Sequence, residues 1–578
     1  MPTSPTKSTT RRSAAVCSHL APGALRTEFF ARLMCTAIAC VPASTLSETN
    51  GPSTVNNLEF RDVTRARSLD FRHASNPSER YALPEIMGSG AALFDYDNDN
   101  DLDIYLVNSA GSSRLFSQQR SGEFVDVTLS AGLGKPTMGI GAALGDIDND
   151  GDIDLFVTNV GKDTLYQNNG DGSFTDITDA AGIAGAHWST SAAFCDVDNN
   201  GYLDLYVATY VESEMNPSCT TKAGEPDYCP PNVYPAQADQ FFLNNGDGKF
   251  TDEGHATGIA RVTNRALGVV CADFSGDHRA DFLVANDGAA NFLWVNQGDT
   301  FVERAVQYGV STNLFGEAEA SMGIALGDIN DDLAIDAFMT HIDQESNTLY
   351  TSTDAGTMMD STISAKLGYT STAFTGFGVA FFDADNDRDL DLAIANGRVR
   401  KTARRSQAVN AWQRDYAETN LLLQNDGGGV FFDACSGHEF CTSPGVSRGL
   451  LPGDIDRDGD LDLLLTNSNG AARLFENRSP STHASVTLRI IDPRYAREAI
   501  GAQVRAKIDG RWYMRPVIHT TSYLSSGDAA VHFGLGTADS VDELLVIWPD
   551  GTHEAFPGLA ANQRAVLRKG EGQSRPDK

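Results

Sequence analysis

No stretch of eighteen consecutive apolar residues occurs in this chain, so the sequence predicts no membrane-spanning helix. Basic charge is also scarce: 44 Lys and Arg stand against 77 Asp and Glu, a formal net charge of −33. A protein that grips phosphate backbones needs a basic face, so nucleic acid is excluded as a partner. Catalytic motifs are thin. Neither His-Glu-x-x-His nor a phosphate loop is present. The candidate bases His73, His187, His341, His519 and His532, and the candidate acid Glu85, stand singly in the chain, and lone histidines in strand-like contexts are more often structural. The residues therefore favour a protein that is not an enzyme.

Cysteines number only nine. Cys219 and Cys229 share a Pro-rich insertion, and Cys435 and Cys441 share another loop; these close pairs read as two short disulfides and imply an oxidising compartment. Cys195 and Cys271, in apolar contexts beside acidic loops, read as buried small hydrophobes. Residues 1–45 carry Arg11, Arg12, Arg26 and Arg32 ahead of a short apolar core, Leu33–Ala43. That pattern predicts an export signal cut after Ala43, or a lipoprotein box at Ala37-Ile-Ala-Cys40, followed by a linker over 46–55. The protein is expected to be secreted, periplasmic or displayed at the cell surface.

What the chain has in excess is one acidic phrase, written seven times. Asp95-Tyr-Asp-Asn-Asp-Asn-Asp-Leu-Asp103 runs into Ile-Tyr-Leu-Val, and the phrase returns at Asp146, Asp196, Asp273, Asp328, Asp383 and Asp454. Carboxylates at positions 1, 3, 5 and 9 of such a turn can converge on one cation, with a carbonyl from position 7. Ligands that are all hard oxygens select Ca²⁺ over zinc or copper, and the strict octahedral demand of Mg²⁺ makes it the poorer fit. Four loops have the full set: Asp95, Asp97, Asp99, Asp103; Asp146, Asp148, Asp150, Asp154; Asp383, Asp385, Asp387, Asp391; and Asp454, Asp456, Asp458, Asp462. Two are weakened: Asp196, Asp198, Asn200, Asp204 and Asp328, Asn330, Asp332, Asp336. The doubtful loop is Asp273, with Ser275, Asp277 and Asp281. Position 6 is expected at positive φ, which suits Gly151, Gly201 and Gly459, is tolerable for Asn100, and suits His278, Leu333 and Arg388 poorly. The loops lack the Glu at position 12 that an EF-hand requires. Four to seven Ca²⁺ ions are the expectation.

The loops start 51, 50, 77, 55, 55 and 71 residues apart, a unit of about fifty that fits a four-stranded propeller blade. Each unit has a small-residue strand such as Gly139–Gly145, then the acidic loop and an apolar strand, then a hairpin such as Thr164–Asp176 turning on Asn-Gly-Asp-Gly. Glycine in the first strand suits close approach at a central axis. Leu58–Thr64 reads as the back half of a hairpin and Arg473–Asn477 as a front half, so the ends complete one another. The prediction is an all-β fold, a seven-bladed β-propeller over 56–478, with an open solenoid as the alternative. Alternating Val486, Leu488, Ile490 and Val504, Ala506, Ile508 predict a small β-domain over 484–570, with 571–578 a disordered tail.

These motifs resemble the FG-GAP/VCBS repeat propellers, the group that includes the integrin α head. The tail strings Glu498–Val504, Ser522-Tyr-Leu-Ser525, His532–Gly536 and Val546–Gly551 resemble the ASPIC/UnbV domain. Phe71-Arg-His73, Glu85–Gly88 and the Cys219–Cys229 insertion resemble the opening and an insertion of the cartilage acidic protein family and its bacterial relatives. The resemblance implies an exported calcium-binding adhesion or recognition module for a glycan or protein partner. Alternatives are a calcium-dependent polysaccharide lyase-like enzyme, since some related propellers are lyases, and an assembly or docking factor for other exported proteins. The basic insertion Arg398, Arg400, Lys401, Arg404, Arg405 reads either as a contact for an anionic partner or as a solvated loop.

Overall fold

The acidic phrases set the architecture, because each joins two antiparallel strands. The computed structural model describes residues 58–576 except 184, 214, 216, 403–409 and 481. The signal and linker expected over 1–55 lie outside these residues, as do Arg404 and Arg405. Among the described residues the pairings give seven units of four antiparallel strands. Unit 1 runs Ala91–Phe94, Asp103–Leu106, Arg114–Gln118, Phe124–Asp126. The inner strands of units 2 to 7 are Gly139–Gly145, His187–Cys195, Ala266–Ala272, Ile324–Gly327, Gly376–Phe382 and Ser447–Gly453. Unit 7 takes its fourth strand, Phe60–Asp62, from the start of the described chain, with Phe60 opposite Asn477 and Asp62 opposite Phe475. Each inner strand touches the next in cyclic order, and Ser447–Gly453 returns to Ala91–Phe94. This is a closed β-propeller, so the open solenoid is excluded. Glycine sits where inner strands crowd: a Cβ on Gly323 would meet the Phe377 carbonyl at 2.1 Å, and one on Gly378 the Arg448 carbonyl at 2.3 Å.

The tail forms two sheets. One joins Ala484–Asp492 to Val531–Gly536, Gln563–Arg568 and Arg497–Glu498; the other orders Arg511–Pro516, Gln503–Ile508, Glu543–Ile547, His553–Pro557 and Gln573–Arg575. Within the span expected to be disordered, 571–578, Gln573–Arg575 instead form a strand: Gln573 pairs with Ala555 and Arg575 with His553.

Over the described residues propeller and tail are one compact unit, and their cores merge. Val486, Leu488 and Trp548 of the tail share an apolar cluster with Ile147, Phe156 and Phe194 of units 2 and 3. The tail lies over the acidic-loop face and sends Thr520–Ser526 into the central channel. There Ser526 pairs in parallel with Ala92, Ser522 and Ile324 exchange both backbone hydrogen bonds (3.0 and 2.7 Å), and Ala142 N–H donates to the Leu524 carbonyl at 3.1 Å. Gly90 admits this segment, because a Cβ there would lie 2.0 Å from the Leu524 carbonyl. Tyr523, fully buried, crosses to the far end of the channel, where it packs edge-on against Phe377 and donates from its hydroxyl to the Met87 carbonyl at 3.2 Å.

The far face is closed by the two long insertions and a short helix, Pro84–Met87. Tyr228 contacts the rings of Tyr81 and Tyr416, and Tyr416 donates to Asp227 at 2.8 Å. The basic insertion belongs partly to this cap. Arg398 is buried against Glu418 (2.9 Å), and Lys401 Nζ donates to the Tyr81 hydroxyl and the Pro226 carbonyl; only Arg400 of the described basic residues is exposed. Arg448, also fully buried, donates to the Ile86 and Gly397 carbonyls and lies 3.8 Å over the Phe377 ring.

Candidate metal centres

One geometry recurs in every acidic loop. Position 6 has positive φ throughout: Asn100 (69°), Gly151 (94°), Gly201 (94°), His278 (65°), Leu333 (67°), Arg388 (94°) and Gly459 (98°). The turn therefore imposes this conformation even on side chains that suit it poorly. It is held by the position 1 carboxylate, which accepts the position 6 amide, as in Asp146 from Gly151 (2.9 Å) and Asp328 from Leu333 (3.0 Å). Position 4 also has positive φ, at Asn98, Asn149, Asn199, Asp331, Asn386 and Arg457. The asparagines favoured there were the sequence signal for it.

Three carboxylate oxygens come within 4.8 Å of one another in five loops: Asp95, Asp97, Asp99; Asp146, Asp148, Asp154; Asp196, Asp198, Asp204; Asp383, Asp385, Asp391; and Asp454, Asp456, Asp458. The weakened Asp196 loop thus joins the four full ones. Among the described residues no such triple forms from Asp328, Asp332 and Asp336 or in the Asp273 loop. Asp331 of the fifth loop instead meets Arg511 of the tail at 2.9 Å.

Position 9 does more than the ligand role assigned to it. Both of its oxygens accept backbone amides in every unit, one from position 2 and one from the end of the third strand: Asp154 from Ile147 (2.9 Å) and Asn168 (2.7 Å), Asp462 from Ile455 (3.1 Å) and Asn477 (2.8 Å). This carboxylate braces the loop to two strands. The residue at the end of the third strand then reaches the preceding unit. Asn168, Asn244, Asn296, Asn425 and Asn477 donate from Nδ2 to the carbonyls of Tyr96, Ile147, Val197, Ile329 and Ala384, and Gln118 donates to Ile455 across the ring closure (2.7–2.9 Å). Asn at the end of the third strand recurs in five of the seven units, a sequence signal weaker than that of the aspartates. Each stitch satisfies buried polar groups, so Asn244→Ala should cost about 2 kcal/mol, measured by denaturant unfolding with an unchanged m-value.

The donor chemistry fits calcium. Every converging ligand is a carboxylate oxygen, and Asp148 Oδ1, Asp196 Oδ1, Asp454 Oδ1 and Asp456 Oδ1 are buried with no hydrogen-bond partner. Orphaned anionic oxygens are costly unless a cation neutralises them. Burial pushes Asp146 up to about 7, Asp204 to about 8 and Asp383 to about 8, with neighbouring carboxylates adding to the effect. Arginines of the tail supply part of the compensating charge: Arg497 lies 3.9 Å from Asp196, and Arg564 pairs with Asp454.

Each candidate base has its own surroundings. His73 is buried between Ser109 Oγ (3.1 Å) and the Asn469 amide, His341 lies 3.3 Å from Glu319, and His532 contacts the Gly459 carbonyl at 3.0 Å. His187, half-buried, begins the unit 3 inner strand, and Glu85 accepts from Ser78. One string does have hydrolase-elbow spacing, Gly445-Val-Ser447-Arg-Gly449, yet Ser447 is buried at the start of an inner strand and donates to Asn467 Oδ1 at 3.0 Å. His519 lies 3.3 Å from Glu498, which also binds Arg489. Burial pushes the His519 imidazole down, but Glu498 outweighs it and holds it above its ordinary value. Burial raises Glu498, yet Arg489 and His519 draw it down to about 2. The pair's stability is therefore complete above about pH 4.5 and below about pH 6.5, and is lost as pH rises through the His519 value or falls toward 2. In saturating calcium, His519→Gln should flatten the fall in melting temperature between pH 6 and 8 by about 3 °C, read by calorimetry.

Three disulfides occur among the described residues. Cys219–Cys229 and Cys435–Cys441 are the predicted pairs. The third corrects the reading of Cys195 and Cys271 as free hydrophobes: they are bonded to each other, with Cα atoms 6.7 Å apart. They lie at the last and next-to-last positions of the inner strands of adjacent units, so 76 residues of sequence separation hide a near contact. Such bonds persist in oxidising compartments. Among the described residues no helix is long and apolar enough to cross a membrane.

A family model described as an FG-GAP-like repeat matches residues 95–157 and 146–207, and one described as ASPIC and UnbV matches 493–574. Within those spans the β-propeller carries FG-GAP-like repeats, and the tail is similar to an ASPIC and UnbV domain. The chain's homology to cartilage acidic protein 1 supports the family inferred from the motifs: identity to the Homo sapiens protein is 26% over 331 residues, 56% of this chain and 47% of that protein. For Mus musculus the identity is 26%, covering 56% and 48%. The chain spans about half the length of the curated relatives it matches. Among solved structures, an Agrocybe aegerita lectin that recognises non-reducing terminal N-acetylglucosamine aligns at 16% identity and TM-score 0.34, over 60% of this chain and 79% of the lectin. BBS1N in complex with ARL6DN aligns at 9% identity and TM-score 0.39, over 73% and 98%.

Proposed function

We propose that this protein is an exported, non-catalytic recognition module whose propeller is stiffened by calcium in five loops on one face, and which binds a glycan or protein partner. The observation that carries the metal reading is the convergence of three carboxylates in each of those loops, several with a buried, unpartnered oxygen. The converging triple of each loop would hold the ion, drawn from positions 1, 3 and 5 at Asp95 and Asp454 and from positions 1, 3 and 9 at Asp146, Asp196 and Asp383; bound calcium would supply charge neutralisation. Asp103, Asp154, Asp204, Asp391 and Asp462 keep the loop against its strands whether or not they also touch the ion. The tail covers the acidic-loop face, which leaves the rim and the far face for a partner. The three disulfides and the relationship to cartilage acidic protein 1 support export. The test is an array of glycans and extracellular proteins probed with and without EDTA. Calcium-dependent retention without turnover supports the module; unsaturated, ultraviolet-absorbing product would establish a lyase instead.

A further inference from the structure

The junction between units 4 and 5 departs from the other six. Where the others end their third strand in Asn or Gln, unit 5 has Ser352, whose hydroxyl turns back to the Ile335 carbonyl of its own unit at 2.6 Å. The stitch that would reach the Phe274 carbonyl of unit 4 is thereby lost from this position. At this place a cavity of about 930 Å³ opens between the two units and the tail. Its size falls in the range of small-molecule sites, roughly 300–1,000 Å³.

The loops bordering it are the two whose carboxylates form no converging triple. Ser275 stands at position 3 of one, and His278 and Leu333 hold the position 6 turns that glycine holds in three other loops. Elsewhere the tail closes tightly on this face: a Cβ on Gly201 would meet the Tyr495 ring at 2.1 Å, and one on Gly534 would meet Asp383 at the same distance.

The floor is one face of the tail's five-stranded sheet. Strand alternation sends Val504 and Ala506 into the tail core and leaves Gln503 and Arg505 on the cavity side. Arg505 is opposite Leu545, and the row beside it reads Gln503, Ile547, His553, Arg575 across four strands. The propeller side carries an apolar stretch of Leu283, Leu293, Val310, Leu333, Ile335 and Met358, beside the hydroxyls of Ser352, Thr353 and Thr357.

The charges around the cavity are nearly all committed. Asp273 accepts the amides of Gly276, Asp277 and His278 (2.7–3.1 Å), and His278 lies 3.8 Å from it. Arg575 pairs with Glu543. Arg505 is different: its Nε is buried with no hydrogen-bond partner, and it feels a carboxylate only through the field of Asp328. A guanidinium donor left unpaired beside an apolar stretch is costly, and an oxyanion would satisfy it.

We propose that this cavity binds an amphiphilic organic anion, its carboxylate head on Arg505 and its apolar body along the propeller wall. The site lies outside the five metal loops and is independent of the calcium reading.

Isothermal titration of the full chain in calcium, with dodecanoate, dodecanol and dodecylammonium as probes, tests it. Dodecanoate should bind at one per chain and dodecylammonium should not. Arg505→Met should weaken dodecanoate about tenfold or more, with dodecanol unchanged. Leu333→Trp, which fills the cavity from the propeller side, should abolish binding of both. Failure of the wild-type chain to bind dodecanoate, equal affinity in Arg505→Met, or equal binding of dodecylammonium would each overturn the proposal.

Discussion

Chelating calcium should lower the melting temperature of this protein by about 9 °C, and restoring it should reverse the change. The size follows from linkage. With a dissociation constant of about 10⁻⁴ M, as in extracellular modules, and about 2 mM calcium, each site adds about 1.8 kcal/mol. Five sites add about 9 kcal/mol, and a chain of ~500 ordered residues unfolds with roughly 1 kcal/mol per degree of entropy. The pH dependence has a fixed sign. Burial raises Asp146, Asp204 and Asp383 above the ordinary carboxylate range, so the ion-free loops resist ionisation in the folded state. Below about pH 4 both folded and unfolded carboxylates hold their protons and nothing is lost; above it the unfolded chain ionises first, and ion-free stability falls as pH climbs toward 8. Calcium removes that penalty, so its effect should be small at pH 5 and largest near pH 8. Coincident melts with calcium and with EDTA at pH 8 would sink the metal assignment, as would a larger shift at pH 5.

The legible part of this fold was the part that repeats. A recurring nonapeptide shows both the loop and the strand that follows it, and the complementary ends at Leu58–Thr64 and Arg473–Asn477 imply the ring. The turn at position 6 was also readable, because three of its seven residues are glycine. Contacts between units were far less so. Cys195 meets Cys271 only once neighbouring inner strands lie side by side, and two cysteines in apolar strands look the same whether free or bonded. Position 9 was read as a ligand because clustered aspartates suggest metal; that it also anchors two amides depends on where the third strand ends, which pairing alone defines. The seat of the tail was not readable at all. Ser522-Tyr-Leu-Ser525 marks a domain family by its letters, but nothing in four residues says that they fill the channel of another domain. The basic insertion shows the reverse error: its charges were visible, and the buried Glu418 and the aromatic ring cluster that occupy Arg398 and Lys401 were not.

A chain ending at residue 478 should lose stability by more than any point substitution, although it keeps every strand of the ring. The inserted segment supplies hydrogen bonds that inner strands cannot obtain from one another near the axis. Ala142 and Ile324 donate to its carbonyls, Val379 donates to Ser522 Oγ at 3.0 Å, and Ala91 donates to Ser525 Oγ at 3.2 Å. Leu524 returns a bond to Ser191 Oγ at 3.1 Å. These five bonds are worth about 5 kcal/mol at about 1 kcal/mol each, before the apolar surface that Tyr523 and the tail sheets remove from water is counted. The truncated propeller should therefore melt at least 5 °C lower in calcium and bind a hydrophobic dye that the full chain does not. A second chain separates the channel from the rest of the interface. In Gly90→Val the new Cβ would lie 2.0 Å from the Leu524 carbonyl, so the side chain should displace the segment while the tail stays joined to its sheets and to Ile147, Phe156 and Phe194. Its melting temperature should fall between those of the full and truncated chains. A truncated chain as stable as the full one would show that the ring holds itself, and that the inserted segment occupies a channel that has no need of it.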